Sequence, residues 1–190
     1  TMHLNRLYKY EGIAWYRKAI KIPKVLDKHI QLVFERTKNS KVWIDSIFIG
    51  DSHLLQSPQI FDISDYLSPG THYITVQINN DLKLTPYGNV HIYSDDTQTN
   101  WNGIIGKIYL EASDNTYISN LLVFPNINKP AFDVVLEIDN RLNLSDFNVE
   151  LEVEKTVNGR TTKLNSQKFK TAYKPIFNLQ YKFNEECEFW

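Results

Sequence analysis

The most constraining feature of this chain is a period-two alternation of apolar and polar residues. Residues 71–80, THYITVQINN, show it most clearly, with Ile74, Val76 and Ile78 separated by polar residues. Successive side chains of a strand point to opposite faces of the sheet, so this pattern predicts a strand with one buried face. We expect Ile74, Val76 and Ile78 to lie in the core.

The composition supports a β-rich fold throughout. Aromatic residues make up 13% of the 190 residues, including 11 Tyr and 10 Phe, and there is only one Met. Flat aromatic rings pack well on a pleated surface, whereas few stretches favour a helix. A chain of this length holds one large domain or two small ones.

Charge and hydropathy exclude two classes of partner. The net charge is −1 and the basic residues are scattered, so the chain lacks a basic stripe for nucleic acid. The longest apolar runs are shorter than the roughly 20 residues that cross a bilayer, so we expect a soluble protein that contacts neither nucleic acid nor membrane. Cys187 is the single cysteine and allows no internal disulfide. The compartment, periplasm or cytoplasm, is left open.

Turn signals divide the chain into two parts. Residues 41–50, KVWIDSIFIG, predict a hairpin, and residues 81–103 lack periodicity over a length that is uncommon inside a compact domain and often functional. Pro125 and the polar residues after it predict a linker. Evenly spaced strands follow, with a strong hairpin signal at Asn158-Gly159, and this spacing is typical of a β-sandwich.

Four segments carry a resemblance to a known family. They are GIAWYRKAIKIP (12–23), VWIDSIFIG (42–50), IFDISDYLSPGTHYITVQINN (60–80) and NWNGIIGKIYL (100–110). In this order they resemble the N-terminal sugar-binding-like domain of family 2 glycoside hydrolases, the β-galactosidase, β-glucuronidase and β-mannosidase group. The resemblance implies an all-β chain: a galactose-binding-like jelly roll over residues 1–124, then an immunoglobulin-like β-sandwich over residues 125–190.

The chain departs from the family pattern in three places. Asp45-Ser46 stands where the family usually has Asn-Gly, and Gly106 stands where many members carry Arg, so any ion pair of that Arg is lost. By comparison with the family both ends look cut, and we expect the sandwich to lack its last strand. An unpaired edge of this kind would contact a neighbouring chain or leave the domain poorly ordered.

The family's chemistry implies a division of labour. Two glutamates on an α/β barrel carry out retaining hydrolysis, with their carboxyl groups about 5–5.5 Å apart, and no segment here resembles those barrel motifs. We therefore assign no catalytic residue to this chain. The implied partners are its own absent barrel and, through the parent glycosidase, a β-linked carbohydrate.

The loop at 81–103 is the predicted place for substrate recognition. Its aromatic, amide and carboxylate side chains are the types that bind the C–H faces and hydroxyls of sugars, and the candidates are Asp95, Asp96, Gln98, Asn100 and Trp101. In the alternative interpretation Trp101 packs the loop onto its own domain and the two aspartates cap a turn. Trp15, Tyr16 and Trp43 are interpreted as packing residues, with sugar stacking as the alternative.

No cofactor or metal site is predicted. The five histidines are spread out, and no pair has the spacing of a zinc site.

Two functions other than an accessory region of a glycosidase are considered. A free-standing carbohydrate-binding module would need exposed rings in a concave patch, and a structural pair of β-sandwiches would lack such a patch.

Overall fold

The computed structural model describes residue 8 and residues 10–24, 27–84 and 100–184. Regular structure in these ranges is β-strand, apart from 3₁₀ turns at Ser64–Tyr66 and Leu82–Leu84. None of the described helical segments is long and apolar enough to cross a membrane. The all-β prediction is confirmed. The chain forms two compact units, unit 1 (Thr1–Ser113) and unit 2 (Asp114–Trp190).

Unit 1 is a sandwich of two antiparallel sheets, as expected for the jelly roll. Its strands are β1 (Ile13–Ile22), β2 (His29–Thr37), β3 (Asn39–Ile44), β4 (Ile47–Ser52), β5 (Gln59–Asp62), β6 (Gly70–Asn79) and β7 (Ile104–Ser113). One sheet has the order β1-β6-β3-β4 and the other the order β5-β2-β7. In the described ranges, β1 and β7 are therefore edge strands of their sheets.

The core of unit 1 lies between these sheets. The predicted inward face of β6 is confirmed, since Ile74, Val76 and Ile78 are all buried. Phe34 on β2 is fully buried and packs on Phe61 of β5, with ring centroids 5.7 Å apart. Burial of side chains of this size stabilises a fold by about 1.5–3 kcal/mol each, so this layer dominates the stability of unit 1.

The predicted hairpin between β3 and β4 forms without an Asn-Gly turn. Asp45 adopts a φ of 54°, a left-handed conformation that Asp tolerates better than most residues. Its N–H donates to the Tyr73 carbonyl at 2.7 Å, and its Oδ1 accepts the Tyr73 N–H at 2.8 Å. These two hydrogen bonds to β6 hold the turn in place. The hairpin therefore forms although Asp45-Ser46 stands where the family usually has Asn-Gly.

Unit 2 is built from smaller sheets. Its strands are β8 (Thr116–Pro125), β9 (Ala131–Asn140), β10 (Asp146–Leu151), β11 (Glu154–Val157), β12 (Arg160–Lys163), β13 (Gln167–Ala172) and β14 (Ile176–Lys182). They form the sheets β14-β9-β8, β10-β13 and β11-β12. Leu136 of β9 and Phe177 of β14 pack against Phe147 and Val149 of β10. The hairpin predicted at Asn158-Gly159 joins β11 to β12.

The two units divide earlier than the sequence indicated. Residues up to 124 were expected in the first domain, but β8 pairs with β9 of unit 2 as far as Pro125 opposite Phe132. The predicted linker after Pro125 is the turn between these strands. There the Asn126 side chain accepts the N–H groups of Asn128 and Lys129 at 2.9 and 3.1 Å. A turn and a linker share polar residues and proline, and sequence pattern does not separate them.

The prediction that Trp15 is a packing residue is wrong. The register of β1 against β6 accounts for its exposed position. Trp15 pairs in register with Gln77, so its side chain lies on the face of the sheet opposite to the core residue Val76. It is 58% exposed. Tyr16 faces inward by the same register but remains 43% exposed, because it lies on the edge strand β1. Trp43 is half-buried on the outer face.

Candidate functional site

The base of the 81–103 loop is held by a buried asparagine, Asn80, immediately after β6. Its Nδ2 donates to the carbonyls of Tyr10 at 2.9 Å and Asn100 at 3.2 Å. Its Oδ1 accepts the Gly12 N–H and one Asn102 Nδ2 hydrogen, both at 2.9 Å. One side chain thus joins the segment before β1 to both ends of the loop.

Asn100 and Asn102 complete this network from the other end of the loop. The Asn100 Nδ2 donates to the Asn80 carbonyl at 2.9 Å, and the Asn102 Nδ2 donates to the Gly12 carbonyl at 2.7 Å. Paired Nδ2 groups of this kind restrict the segments that they join, since a buried donor left unpaired would be costly. The two ends of the loop are therefore fixed relative to β1 and β6.

Trp101 lies over a buried cation. The Lys38 side chain is almost fully buried after β2, and its Nζ is 4.5 Å from the centroid of a Trp101 ring. This is the geometry of a cation–π contact. Burial lowers the pKa of Lys38 to about 8, so the amine is largely protonated at neutral pH. Trp101 is partly exposed, so its indole presents an aromatic surface at this end of unit 1, above the buried Lys38.

Gly103 lets the segment after Trp101 approach β1 closely. Its φ is 100°, and a Cβ at this position would lie 2.7 Å from the Tyr16 hydroxyl. The Thr37 hydroxyl donates to the Gly103 carbonyl at 2.9 Å. A side chain at residue 103 would displace the Tyr16 hydroxyl and strain the main chain at this positive φ, so glycine suits this position.

At residue 106, where many members of the family carry arginine, the Glu35 side chain fills the space beside the glycine. The φ of Gly106 is 79°, and a Cβ would lie 2.6 Å from the Glu35 carboxylate. Glu35 Oε2 instead accepts the N–H of Lys107 at 2.9 Å. The carboxylate occupies the space that a side chain at residue 106 would need and binds the main chain there.

The structure brings together only part of the predicted site. Asp95, Asp96 and Gln98 lie outside the described residues, so the substrate-binding role given to them stays a prediction. Asn100 and Trp101 lie together at the end of the loop, where Asn100 is buried in the network and Trp101 is partly exposed.

Sequence reasoning missed Lys38, Asn80 and Asn102. Asparagines at both ends of an aperiodic stretch, Asn79-Asn80 before it and Asn100-Trp101-Asn102 after it, were a usable signal for a clamped loop. The described part of the chain contains no group of three or more His, Cys, Asp or Glu side chains that could hold a metal ion.

Comparisons with known proteins give matches of structure alone. No family model and no curated sequence relative matches the chain. A β-glucuronidase 2 from Bacteroides uniformis matches 90% of this chain with a TM-score of 0.69 and 18% identity. A β-glycosidase from Bacteroides vulgatus matches 90% with a TM-score of 0.61 and 24% identity. A glycosyl hydrolase family 2 member from Bacteroides cellulosilyticus matches 90% with a TM-score of 0.66 and 16% identity.

These matches define the fold. The β-sandwich fold is one that occurs in family 2 glycoside hydrolases, and the resemblance carried by the four sequence segments is confirmed at that level. The chain covers 22%, 21% and 21% of the lengths of the Bacteroides cellulosilyticus, uniformis and vulgatus proteins, respectively.

Proposed function

We propose that this chain is the non-catalytic N-terminal region of a β-galactosidase-like family 2 glycoside hydrolase. It supports a catalytic barrel and contributes the 81–103 loop to substrate recognition. The observation that carries the proposal is the clamped base of that loop, with Trp101 held over Lys38, in a fold shared with family 2 enzymes. Hydrolysis of O-glycosyl bonds belongs to the barrel of the parent enzyme.

The network around Asn80 suits a recognition loop. Substrate-contacting side chains must be held by rigid surroundings, because a small displacement costs affinity and rate. Here the buried Asn80, which directly precedes the loop, is hydrogen-bonded to Asn100 and Asn102 at its other end, so the loop leaves the sandwich from a fixed frame. Trp101 then offers an aromatic face to a sugar ring, while Asp95, Asp96 and Gln98 supply groups for its hydroxyls.

Two activity measurements test the division of labour. The isolated chain should not hydrolyse nitrophenyl β-galactoside or β-glucuronide, whereas the full-length protein should hydrolyse a β-glycoside, with the galactoside as the first substrate tried. Turnover by the isolated chain would refute the non-catalytic assignment. A full-length protein without glycosidase activity would refute the parent assignment.

A variant in the full-length protein tests the loop. Trp101→Ala should raise KM about fivefold, with a smaller change in kcat, because an aromatic contact to the bound sugar contributes about 1 kcal/mol. Tyr66→Ala is the matched control, since it removes an aromatic ring that is 38% exposed elsewhere on unit 1. Equal effects of the two substitutions on KM would argue against a role for the loop.

A further inference from the structure

The outer face of the β1-β6-β3-β4 sheet carries a band of aromatic rings. Trp15 lies 5.4 Å from Trp43, and Trp43 lies 5.4 Å from Phe48, measured between ring centroids. The three residues come from β1, β3 and β4, so the band crosses the sheet. Trp15 is 58% exposed and Phe48 49% exposed.

This band is not needed to complete the core of unit 1. On the inward face of this sheet Val42, Ile44 and Val76 are all at most 2% exposed, and their cluster does not include the outer rings. The outer rings contact one another and leave much of their surface in water. Exposed aromatic side chains that form one contiguous patch, rather than lying singly, are a feature of interaction sites and ligand-binding grooves.

A cleft of about 520 Å³ adjoins the band and shares Phe48 with it. Its size is within the range of small-molecule sites, roughly 300–1,000 Å³. Its lining combines apolar side chains with groups that donate and accept hydrogen bonds, and includes Ile13, Lys41, Phe48, Asp51, Gln77 and Asn79.

The polar wall of this cleft includes His53. The ring Nδ1 is 3.0 Å from the Asn39 side-chain oxygen, and Nε2 is 3.1 Å from Asp51 Oδ2. Both His53 and Asp51 are exposed, so the carboxylate is open to a ligand in the cleft. Asp51 lies opposite Lys41 in the strand register, and Lys41 lies opposite Gln77. A carboxylate, an ammonium and an amide therefore lie in a row across the sheet.

We propose that this face is a carbohydrate-binding site for the pyranose units of a neutral β-linked oligosaccharide. The apolar C–H face of one sugar ring stacks on the aromatic band at Trp15. Asp51, Lys41 and Gln77 bind its hydroxyl groups or those of the next unit. The proposal does not depend on the parent enzyme or on the 81–103 loop.

The surroundings of the band favour a sugar over a protein partner. The centre of a protein interface is depleted in charged residues, whereas Lys41, Asp51 and His53 line the adjoining cleft together with Phe48. The lysine and the aspartate carry opposite charges, so the cleft suits a neutral polar ligand better than an anion or a cation. Flat aromatic surface beside planar hydrogen-bonding groups matches the C–H faces and hydroxyls of a sugar.

Calorimetric titration of the whole chain tests the site, with cellohexaose, β-1,4-xylohexaose and β-1,4-galactotetraose as separate probes. Saturable binding of at least one probe is expected, with a change in tryptophan emission. Trp15→Ala and Asp51→Asn should each weaken Kd about tenfold or more. Tyr109→Ala is the matched control, since this residue is 44% exposed on β7 of the other sheet, and it should leave Kd unchanged.

Both substituted residues are exposed, so their variants should retain the wild-type circular dichroism spectrum and melting curve. Absence of binding by the folded wild-type chain to all three probes would overturn the proposal. Unchanged affinity in both Trp15→Ala and Asp51→Asn would do the same. So would a dimer of the wild-type chain that Trp15→Ala dissociates in light scattering without any change in sugar affinity, because the band would then be a protein contact.

Discussion

The two units bury their apolar residues to different degrees. In the described part of unit 1, ten buried residues from both sheets form one cluster, whereas the described cluster of unit 2 has three, Leu136, Ile138 and Phe177. The strands of unit 2 alternate as clearly in sequence, but their inward residues are mostly only half-buried. Alternation therefore predicts that a strand forms and does not predict how much core it covers.

This difference bears on where a binding site can be precise. Both candidate sites, the loop base and the outer aromatic face, belong to unit 1. Sites built on rigid strands hold their geometry better than sites on loosely packed elements. The predictions below compare the units, beginning with the largest effect.

Removing a core aromatic ring should lower the free energy of unfolding more in unit 1 than in unit 2. Phe34→Ala in unit 1 should lower the free energy of unfolding of that unit by about 4 kcal/mol, and Phe177→Ala in unit 2 should lower that of its unit by about 3 kcal/mol. Phe34 is fully enclosed, whereas Phe177 has a smaller cluster around it that can relax. Hydrogen exchange on the whole chain reports each unit separately. An equal or larger loss from Phe177→Ala would contradict the comparison of the cores.

Two glycines with nearly the same backbone conformation provide a finer comparison. Gly106 in unit 1 has a φ of 79° and Gly159 in unit 2 has a φ of 77°. A methyl group at Gly106 would meet the Glu35 carboxylate, whereas one at Gly159 would meet no atom within 4 Å. Gly159→Ala should cost about 1 kcal/mol of conformational strain, and Gly106→Ala about 2 kcal/mol, because the Glu35 carboxylate must also turn away and lose its hydrogen bond to the Lys107 N–H.

Denaturant titration of both alanine variants measures this difference. Glu35→Gln should not relieve the cost of Gly106→Ala, because it keeps the volume of the side chain, whereas Glu35→Ala should relieve it in part. Equal costs for the two glycine substitutions would show that the Glu35 side chain moves aside without a measurable loss of stability.

The sequence was sufficient for local structure and for part of the site. The buried face of β6 and the turns at Asp45-Ser46 and Asn158-Gly159 followed from alternation and turn chemistry. The outer position of Trp15 did not, because residues 14–22 mix apolar and polar side chains on both faces, and only the pairing with β6 fixes the direction.

The burial of Lys38 was equally hidden. Lysine is among the residues least often buried, so its sequence position alone does not predict a buried cation. Its burial is accompanied by the contact with Trp101, which comes from a distant part of the chain. Long-range contacts of this kind leave no periodic signal in the sequence, and this is why only the loop, and not its cationic support, was identified as a candidate site.

The smallest expected effect concerns pH and the two hairpin turns. Asp45 in unit 1 and Asn158 in unit 2 both have positive φ, but only Asp45 titrates. His72 Nδ1 is 2.8 Å from Asp45 Oδ2, and its Nε2 is 2.7 Å from the Ser68 carbonyl. The bond to Asp45, followed by the bond to Ser68, raises the pKa of His72. The bonds from His72 and Tyr73 lower the pKa of Asp45.

The sign of the effect follows from these directions. The raised pKa of His72 gives stability that is fully present below its unfolded pKa of about 6.5 and is lost as pH rises through the folded value. The lowered pKa of Asp45 gives stability that is lost as pH falls through its folded value. Lys38 acts in the opposite direction to His72 from about pH 8 upward, because a lowered lysine pKa makes stability rise with pH.

The test is therefore confined to the range from about pH 6 to about pH 8. In that range the midpoint of thermal unfolding of unit 1 should fall as pH rises. Asp45→Asn should flatten this dependence while keeping the turn, because Asn also tolerates positive φ. Asn158→Asp is the reciprocal control, and it should leave the pH dependence of unit 2 unchanged, since no histidine lies within the β11–β12 hairpin. A wild-type slope that persists in Asp45→Asn would show that the ion pair with His72 is not its source.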